Sequence, residues 1–490
     1  MQYIPGTFPG TFRLRSDPRL GAVVGALLLA GCATNPATGD RMLSLVSEGQ
    51  EIEMGQEYKQ QIPAMMGLYD DAALQAYVDS VGRALAAVSE RPDLPWSFQI
   101  VDDPVINAFA LPGGPTYLAR GIMGYFSSEA EMASVLGHEI GHITARHAVE
   151  QMSRQQLFQI GYVAGMVAVP EIRPFGDVLA GGLGILSLKY GRDDESQSDM
   201  LGHRYMTRVG YDPAAAVQMF RILERQREAA GSSLPEWQSS HPDPGNRVAD
   251  AEQRAAEGGA TGGIVRREEY LRRIDGLVIG PDPRQGYFDG DRFIHPDLRF
   301  RLDFPGNWQR QNTPMAVVAL SPNQDAMLEL TLVQDKSPAE AAQEFWNMQG
   351  LQRLGSSSQT VNGLSAVVGR FRAETQQGVL EGLVMFIRHR DLTYRVLGYT
   401  PAQQFGRYSP TFEGSMNSFA PETNSRLLDV EPKRIDIVEV PSAMTVETFN
   451  QRFPSTVEFA DVVLLNGWTA GERLEAGRLV KRVVGSGGPR

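Results

Sequence analysis

The stretch His138-Glu139-Ile140-Gly141-His142 decides how the first half of this chain is interpreted. It lies in a largely apolar segment that Ser128 opens, and that segment is predicted to be helical to about residue 151. Four residues make just over one helical turn, so the two imidazoles face the same way and can bind one tetrahedral zinc ion. Glu139 lies on the adjoining flank, within reach of a water molecule at that ion. The motif therefore predicts a catalytic metal site on a core helix.

A catalytic zinc needs a third protein ligand beside the two histidines. A second long helix is predicted from about residue 177 to residue 209, and it carries the acidic sequence Arg192-Asp193-Asp194-Glu195-Ser196-Gln197-Ser198-Asp199. Glu195 and Asp199 are again four residues apart and share a face. One could bind the metal while the other holds a ligand histidine by its second nitrogen. Spacing alone does not choose between them, and a solvated acidic face is the other interpretation.

Five of the seven histidines lie between residues 138 and 241. His241 precedes Pro242 and follows the sequence Gly231-Ser232-Ser233, so it is predicted to lie in a loop. Its residue type alone is equally typical of a surface histidine. Apart from His138, His142 and His241, the chain has four histidines, and a structural role is predicted for each. His147 follows His142 by five residues, so on a continuous helix it would point away from the ligand face. These four are His147, His203, His295 and His389.

Four segments, taken together and in order, resemble the BepA/HtpX/CAAX-prenyl-protease group, which is metallopeptidase family forty-eight of the gluzincin type. The resemblance covers residues 47–280. The segments are Asn107-Ala108-Phe109-Ala110-Leu111-Pro112-Gly113-Gly114, the His138 to His142 motif, Arg192…Glu195…Asp199, and Ser240-His241-Pro242-Asp243-Pro244…Arg247. Ser198 stands where this family usually has Ala.

The resemblance implies a zinc endopeptidase with one Zn²⁺ per chain. It implies that Glu139 is the catalytic base and that His241 lies over the metal, either as an oxyanion stabiliser or as a fourth zinc ligand. The implied metal ligands are His138, His142 and Glu195, supported from outside by Asp199 and Arg247.

The amino terminus resembles a bacterial lipoprotein signal. Three arginines precede an apolar run of about 11 residues, which is too short to span a bilayer. The run ends in Leu29-Ala30-Gly31-Cys32, which resembles a lipobox, so Cys32 is the predicted lipidation site after removal of residues 1–31. Ala33 follows this cysteine, and in this respect the sequence resembles lipoproteins that are sorted to the outer membrane. That resemblance implies a periplasmic protein. The alternative is a secretory signal peptide without lipidation. Residues 32–46, which follow the signal, are interpreted as a tether.

Composition limits the classes of function. The 490 residues carry 46 Lys and Arg against 58 Asp and Glu, a net charge of −12, which disfavours nucleic acid as a partner. The single cysteine excludes an intramolecular disulfide and any Cys-x-x-Cys pair. At about 150 residues per domain, the length suggests about three domains.

Two further domains are predicted after the peptidase-like region. Short alternating strands with one clear helix indicate an antiparallel α/β domain at 290–420, and Phe300-Arg301-Leu302-Asp303-Phe304-Pro305 opens a stretch that resembles the PsbP-like fold. Residues 433–487 are predicted to form a small βααβ unit that resembles LysM, although Ala443-Met444-Thr445-Val446 replaces the usual start of that motif. The fold class expected is therefore α+β and multidomain: a mainly helical zincin domain with a small sheet, then these two units.

The function expected is hydrolysis of peptide bonds in unfolded or misassembled envelope polypeptides. The strand at residues 116–119 is expected to be an edge that pairs with an extended substrate. The alternatives are a metal-binding assembly factor or scaffold of the outer membrane with little proteolysis, and a protein that binds peptidoglycan through its LysM-like tail.

Overall fold

The computed structural model describes residues 32–165, 189–230, 241–242, 245–257, 262–333, 335–375, 378–469 and 471–488. The lipoprotein signal predicted at residues 1–31 lies outside them. The described part is a mixed α and β protein with a helical amino-terminal region and a sheet-rich carboxyl-terminal region. Among its helices, none combines the length and the apolar character that crossing a bilayer requires.

The first region, residues 32–280, is built mainly from helices. These are α1 (Glu48–Met66), α2 (Ala72–Ala86), α3 (Arg120–Tyr125), α4 (Glu129–Thr144), α5 (His147–Gly165), α6 (Arg192–Val209), α7 (Ala214–Ala230), α8 (Arg247–Glu257) and α9 (Arg267–Arg273). Its strands are β1 (Cys32–Thr34), β2 (Arg41–Leu43), β3 (Ser97–Val101), β4 (Ala108–Ala110) and β5 (Pro115–Ala119). The long helix expected from residue 177 begins only at Arg192; residues 166–188 lie outside the described part.

The small sheet of this region corrects one prediction. Its order is β3-β5-β4, so β5, which contains residues 116–119, is the central strand and β4 is an edge. β5 runs parallel to β3 and antiparallel to β4, and all five of its residues are buried. The turn Leu111-Pro112-Gly113-Gly114 folds β4 back onto β5, which leaves the outer side of β4 unpaired in the described part.

Helix α1 packs closely over that turn. A Cβ atom added at Gly55 would lie 1.8 Å from the carbonyl oxygen of Pro112, and one at Gly113, whose φ is +77°, would lie 2.7 Å from the Cα atom of Ile52. Only glycine permits both the left-handed turn and the close approach. This contact fixes the turn against the helix.

Helices α4 and α6 cross at a short distance because glycines face each other. A Cβ added at Gly202 of α6 would lie 2.8 Å from the backbone nitrogen of His138, and one at Gly141 of α4 would lie 3.0 Å from the Cα atom of Ser198. The first distance is shorter than real Cβ contacts and the second is tighter than most of them, so a larger side chain at either position would press the two helices apart. The crossing brings the acidic end of α6 to the histidines of α4.

Residues 32–46, interpreted from the sequence as a tether, are folded onto this region. β1 and β2 pair antiparallel, with Cys32 opposite Leu43. The backbone nitrogen of Leu45 donates to Ser153 Oγ on α5 at 2.9 Å, and the side chain of Met42 is buried. The predicted lipidation site is therefore the first described residue of a hairpin that packs on the helices.

The second region, residues 287–428, is dominated by antiparallel sheet, as predicted for 290–420. Its strands are β6 (Tyr287–Asp289), β7 (Arg292–His295), β8 (Phe300–Asp303), β9 (Gln309–Asn312), β10 (Ala316–Leu320), β11 (Met327–Val333), β12 (Leu351–Val361), β13 (Leu364–Thr375), β14 (Gly378–His389), β15 (Leu392–Pro401) and β16 (Ala420–Pro421). Its helices are α10 (Pro338–Trp346), α11 (Phe405–Ser418) and α12 (Ser425–Leu428). One sheet has the order β12-β13-β14-β15-β11-β10-β9 and a second the order β16-β8-β7-β6.

The tail has the predicted strand-helix-helix-strand order with a short extra strand pair. Its elements are β17 (Arg434–Glu439), β18 (Met444–Thr445), α13 (Val446–Arg452), α14 (Phe459–Asn466), β19 (Arg473–Leu474) and β20 (Leu479–Val484). β17 pairs with β20 and β18 with β19. Ile435 and Leu479 are buried in the hydrophobic core of the first region. The tail is therefore packed against the helical region through shared core residues.

Candidate metal centre

Helix α4 presents the predicted histidine pair to the interior. Ser128 caps the helix by accepting a hydrogen bond from the backbone nitrogen of Glu131, which fixes where the helical register starts. His138, Glu139 and His142 are exposed by 3%, 1% and 2%. The Nε2 atoms of His138 and His142 lie 3.0 Å apart, as expected for residues four apart on one helix.

Helix α6 adds the acidic groups. Glu195 is fully buried, and its Oε2 lies 3.4 Å from His138 Nε2 while its Oε1 lies 3.5 Å from His142 Nε2. Asp199 lies behind the first histidine, with Oδ1 2.8 Å from His138 Nδ1. The two acids that spacing could not tell apart thus occupy different positions: Glu195 faces both Nε2 atoms, and Asp199 faces only the far nitrogen of His138.

His241 completes the cluster from a non-helical segment. Its Nδ1 lies 3.0 Å from Glu195 Oε1 and 3.3 Å from His138 Nε2. Its Nε2 lies 3.6 Å from Glu139 Oε1. The ring is 1% exposed, so this is not a surface histidine.

The residues present fit a zinc ion. One ligand atom from each of His138, His142, Glu195 and His241 lies within 4.8 Å of all the others, and all four residues are buried. A tetrahedral ion with ligands at about 2.0–2.1 Å spaces them by about 3.3 Å, which agrees with the separations of 3.0–3.5 Å between these atoms. Because the Nδ1–H of His138 donates to Asp199, the Nε2 lone pair points into the cluster. Nitrogen and carboxylate donors in this number are those zinc prefers.

A buried network sets the charges around the cluster. Burial alone would raise the pKa of Asp199, but the guanidinium of Arg247 holds that pKa well below its usual range. Arg247 donates from Nε to Asp199 Oδ2 at 2.9 Å and from Nη2 to Oδ1 at 2.6 Å, a two-pronged contact. Asp199 therefore remains ionised and orients the ring of His138.

Glu139 is buried beside the residues that could hold a metal ion. Neither carboxylate oxygen makes a hydrogen bond to any described residue. Burial raises its pKa above the ordinary value, and the nearby His241 and His138 oppose that shift. A carboxylate whose pKa is moved toward neutrality is suited to accept and return a proton. The arrangement can therefore combine a bound cation with a proton carrier.

Every residue that the sequence placed at the site is brought together, and two more were missed. The ring of Tyr190 stacks on His142 with centroids 3.9 Å apart, and Nδ1 of His147 lies 3.0 Å from Nδ1 of His142. His147 contributes no ligand atom to the cluster, but it contacts one of the residues that does. No motif in the sequence singles out Tyr190, which falls within the helix predicted from about residue 177 to residue 209. Of the other histidines, His203 lies on α6, and His295 and His389 lie in the second region.

Comparison with known proteins agrees with this geometry. Residues 72–255 match the family described as "Peptidase family M48". The "Beta-barrel assembly-enhancing protease" of Yersinia pestis is 34% identical over 230 residues, which is 45% of this chain and 47% of that protein. The "Mitochondrial metalloendopeptidase OMA1" of Schizosaccharomyces pombe is 28% identical over 257 residues, covering 48% of this chain and 72% of that protein. This chain spans about half the length of the first of these relatives.

Among solved structures, cyanobacterial PsbP from Synechocystis aligns with 26% of this chain and 91% of its own, at 14% identity and a TM-score of 0.24. No assignment of the second region rests on that likeness. The family match spans the helices that carry His138, His142 and Glu195. The match to the model of peptidase family M48 over residues 72–255 therefore contains all four residues of the cluster that could hold a metal ion.

Proposed function

We propose that this protein is a zinc-dependent endopeptidase that is anchored in the periplasm by a lipid on Cys32 and hydrolyses misfolded or misassembled envelope proteins. One observation carries the catalytic part of the proposal. The donor atoms of His138, His142 and Glu195 converge in a buried cluster, and beside them lies the carboxylate of Glu139, which makes no hydrogen bond to a described residue.

The chemistry follows from these groups. Zinc held by the cluster would polarise the scissile carbonyl and the attacking water. Glu139 takes the proton of that water and later delivers it to the leaving amine nitrogen. Asp199 keeps the Nδ1 proton on His138, and Arg247 keeps Asp199 charged while it does so. With Nε2 3.6 Å from Glu139, His241 can also donate to an oxyanion that forms beside the carboxylate.

An extended substrate has a suitable edge to pair with. β4, and not β5, presents the outer side of the small sheet in the described part, and β4 packs against α4, which carries the catalytic groups. Main-chain hydrogen bonds to an edge strand bind extended polypeptides with little regard to sequence. That mode of binding suits unfolded or misassembled chains as substrates.

The envelope part of the proposal rests on separate support. Leu29-Ala30-Gly31-Cys32 resembles a lipobox, and the relative from Yersinia pestis is named for the assembly of β-barrels. Fractionation of cells tests the anchor. The protein should sediment with outer membranes, and Cys32→Ser should release it to the soluble periplasmic fraction. Equal distribution of both forms in the soluble fraction would contradict lipid anchoring.

The peptidase proposal is tested on the purified protein with casein and with a denatured outer-membrane protein as substrates. The Glu139→Gln variant keeps the shape of the side chain but cannot accept a proton. It should bind zinc as the wild type does and cleave about 10²- to 10⁴-fold more slowly. Cleavage at the same rate by both proteins would show that Glu139 is not the base.

The alternative is an assembly factor that seldom cleaves, and one feature favours it. His241 occupies a position from which it can fill the fourth site of the metal, and the whole cluster is buried. If His241 closes the site, His241→Ala should cleave faster than the wild type. If His241 stabilises an oxyanion, the same variant should cleave more slowly. A wild type and a Glu139→Gln variant that both fail to cleave, yet both support envelope assembly, would favour the scaffold.

The second region and the tail are proposed to bind partners rather than to catalyse. The second region is proposed to have a PsbP-like fold and the tail a LysM-like fold, with peptidoglycan as a candidate ligand of the tail. Cosedimentation of the intact protein with purified peptidoglycan tests that ligand. Deleting residues 433–490 would be a poor control, because Ile435 and Leu479 belong to the core of the peptidase region. Competition by soluble glycan fragments is a better one.

A further inference from the structure

His147 is the first residue of α5, and an unusual backbone conformation directs it back toward the metal centre. α4 ends at Thr144, and Arg146 then adopts φ +61°, in the left-handed region that non-glycine residues rarely occupy. Arg146 is held there because its Nε donates to the buried carboxylate of Glu51 at 2.8 Å and its Nη2 donates to the carbonyl of Val46 at 3.0 Å. The break turns the chain, so His147 no longer follows the periodicity of α4.

The contact between His142 and His147 fixes where protons must lie. The Nε2 atom of His142 points into the cluster, 3.0 Å from His138 Nε2, so a metal would take its Nε2 lone pair. The remaining proton of a neutral imidazole is then on Nδ1. That Nδ1 lies 3.0 Å from Nδ1 of His147. His147 Nδ1 must therefore carry a lone pair and accept the hydrogen bond.

The other side of His147 agrees with this assignment. Its Nε2 lies 2.8 Å from Gln197 Oε1, an acceptor, so Nε2 carries the proton and donates. Asn35 Nδ2 donates to the same oxygen at 3.3 Å, which holds the amide with its oxygen toward His147. Asp194 Oδ1, a further acceptor, is 3.8 Å from His147 Nε2, and the Ser198 hydroxyl lies 3.4 Å from Nδ1 and can donate to it.

We propose that His147 is a positioning residue of the metal centre: its neutral Nε2-H tautomer, fixed by Gln197, accepts the Nδ1 proton of His142 and so orients the Nε2 lone pair of His142 toward the metal. His138 is oriented by an anionic carboxylate, whereas His142 is oriented by a neutral imidazole. Both supporting chains pass through α6, at Asp199 and at Gln197. This inference rests on the proposed zinc centre and does not depend on any peptide being cleaved.

Zinc affinity, measured by competition with a chelator, tests the proposal without an activity assay. His147→Leu fills a similar volume but cannot accept a hydrogen bond, and loss of such a partner should weaken zinc binding about 10- to 100-fold. His147→Asn places an amide oxygen close to the position of the lost Nδ1 and should restore most of the affinity. Gln197→Met should weaken binding in the same direction. His203→Leu and His203→Asn, on α6, are the matched controls and should bind zinc as the wild type does.

A merely structural role predicts a different pattern. It would lower the melting temperature of the metal-free protein and would make the Asn variant as weak as the Leu variant. Either equal losses in the two variants or unchanged affinity in His147→Leu would overturn the proposal, as would a wild type that binds no zinc. If the variants fail to fold, nitrogen-15 correlation spectra of the zinc-loaded wild type decide the matter. They should show His147 protonated at Nε2, and protonation at Nδ1 would overturn it. Normal zinc affinity without cleavage would contradict only the proposed function.

Discussion

The Nζ atom of Lys481 lies 3.0 Å from the carbonyl oxygen of Gly124, although 357 residues separate them in the chain. Lys481 is fully buried in β20, and it also donates to the carbonyl of Phe126 at 2.9 Å. These carbonyls belong to the end of α3 and the residues after it, which lie in the peptidase region. A lysine of the tail thus supplies the donors for the end of a helix in another region.

This lysine predicts how stability changes with pH. Burial lowers the pKa of Lys481 to about 7, against 10.5 for the ordinary side chain. Between these values the unfolded chain holds a proton that the folded protein has released, so the free energy of unfolding rises with pH in that window. The contribution is at most about 1.4 kcal/mol per pH unit. Below pH 7 the amine is charged in both states and adds no slope.

Denaturant unfolding at pH 7 and pH 9 measures this effect. Lys481→Met keeps the length of the side chain but leaves the two carbonyls without their donor, which should cost about 1–3 kcal/mol. The variant should also lack the part of the pH slope that is due to Lys481. Identical slopes in the two proteins would mean that Lys481 keeps an ordinary pKa.

Removal of Glu195 should remove the metal. Glu195 is the anionic member of the ligand cluster, and Glu195→Ala leaves two or three neutral imidazoles to hold a divalent ion. We expect one zinc per chain in the wild type and well below one in the variant, measured by elemental analysis after dialysis. Asp193→Ala, an exposed acid on the first turn of the same helix, should keep the ion. Full zinc content in Glu195→Ala would place the third ligand elsewhere.

Substitution of Asp199 should lower the affinity for zinc, but the number of zinc ions bound per chain at high zinc concentration should stay the same. In Asp199→Asn the amide oxygen can still accept from His138 Nδ1 and Arg247 Nη2, but an NH₂ group replaces the oxygen that accepts from Arg247 Nε, and the negative charge is lost. The zinc dissociation constant should rise about 10- to 100-fold. Asp193→Asn provides the control with the same chemical change at an exposed site. An unchanged constant in Asp199→Asn would argue that His138 needs no support.

The contact between α1 and the turn before β5 predicts a large difference between two glycines of the same helix. Gly55→Ala forces a Cβ atom to within 1.8 Å of the Pro112 carbonyl, so the helix must move, at a cost of about 1–3 kcal/mol. Gly49→Ala meets no atom within 4 Å and should be neutral or stabilising by up to about 1 kcal/mol. Thermal unfolding of the two variants measures the difference. Equal melting temperatures would contradict the close packing.

The convergence of His138 and His142 could be predicted because helical periodicity puts them on one face whatever surrounds them. Glu195 could not be separated from Asp199 by spacing, since both face α4, and only the crossing of two helices assigns their positions. His147 was predicted to point away from the ligands because periodicity assumes a continuous helix. The left-handed residue Arg146 breaks that helix, and the ion pair with Glu51 that holds it comes from 95 residues away. Long-range contacts of this kind have no local pattern in the sequence.

The same limit explains why β5 was predicted to be an edge strand although it is the central strand of its sheet. The residues of β5 have a typical strand pattern, but which strands pair with it depends on a turn and on β3, which lies before it in the chain. The folding of residues 32–46 onto α5 was likewise not visible in their polar composition.

The glycines where α4 crosses α6 have a consequence for how related sequences are classified. A descendant with alanine at position 202 would retain every ligand and the complete His-Glu-x-x-His signature. Its helices would nevertheless have to separate, since the added methyl group would lie 2.8 Å from a backbone atom of His138, and Glu195 would move away with α6. A motif search would not distinguish that protein from its relatives, although the position of Glu195 relative to the histidines of α4 had changed. Members of such a lineage can therefore differ at the helix crossing before any change appears in the motif.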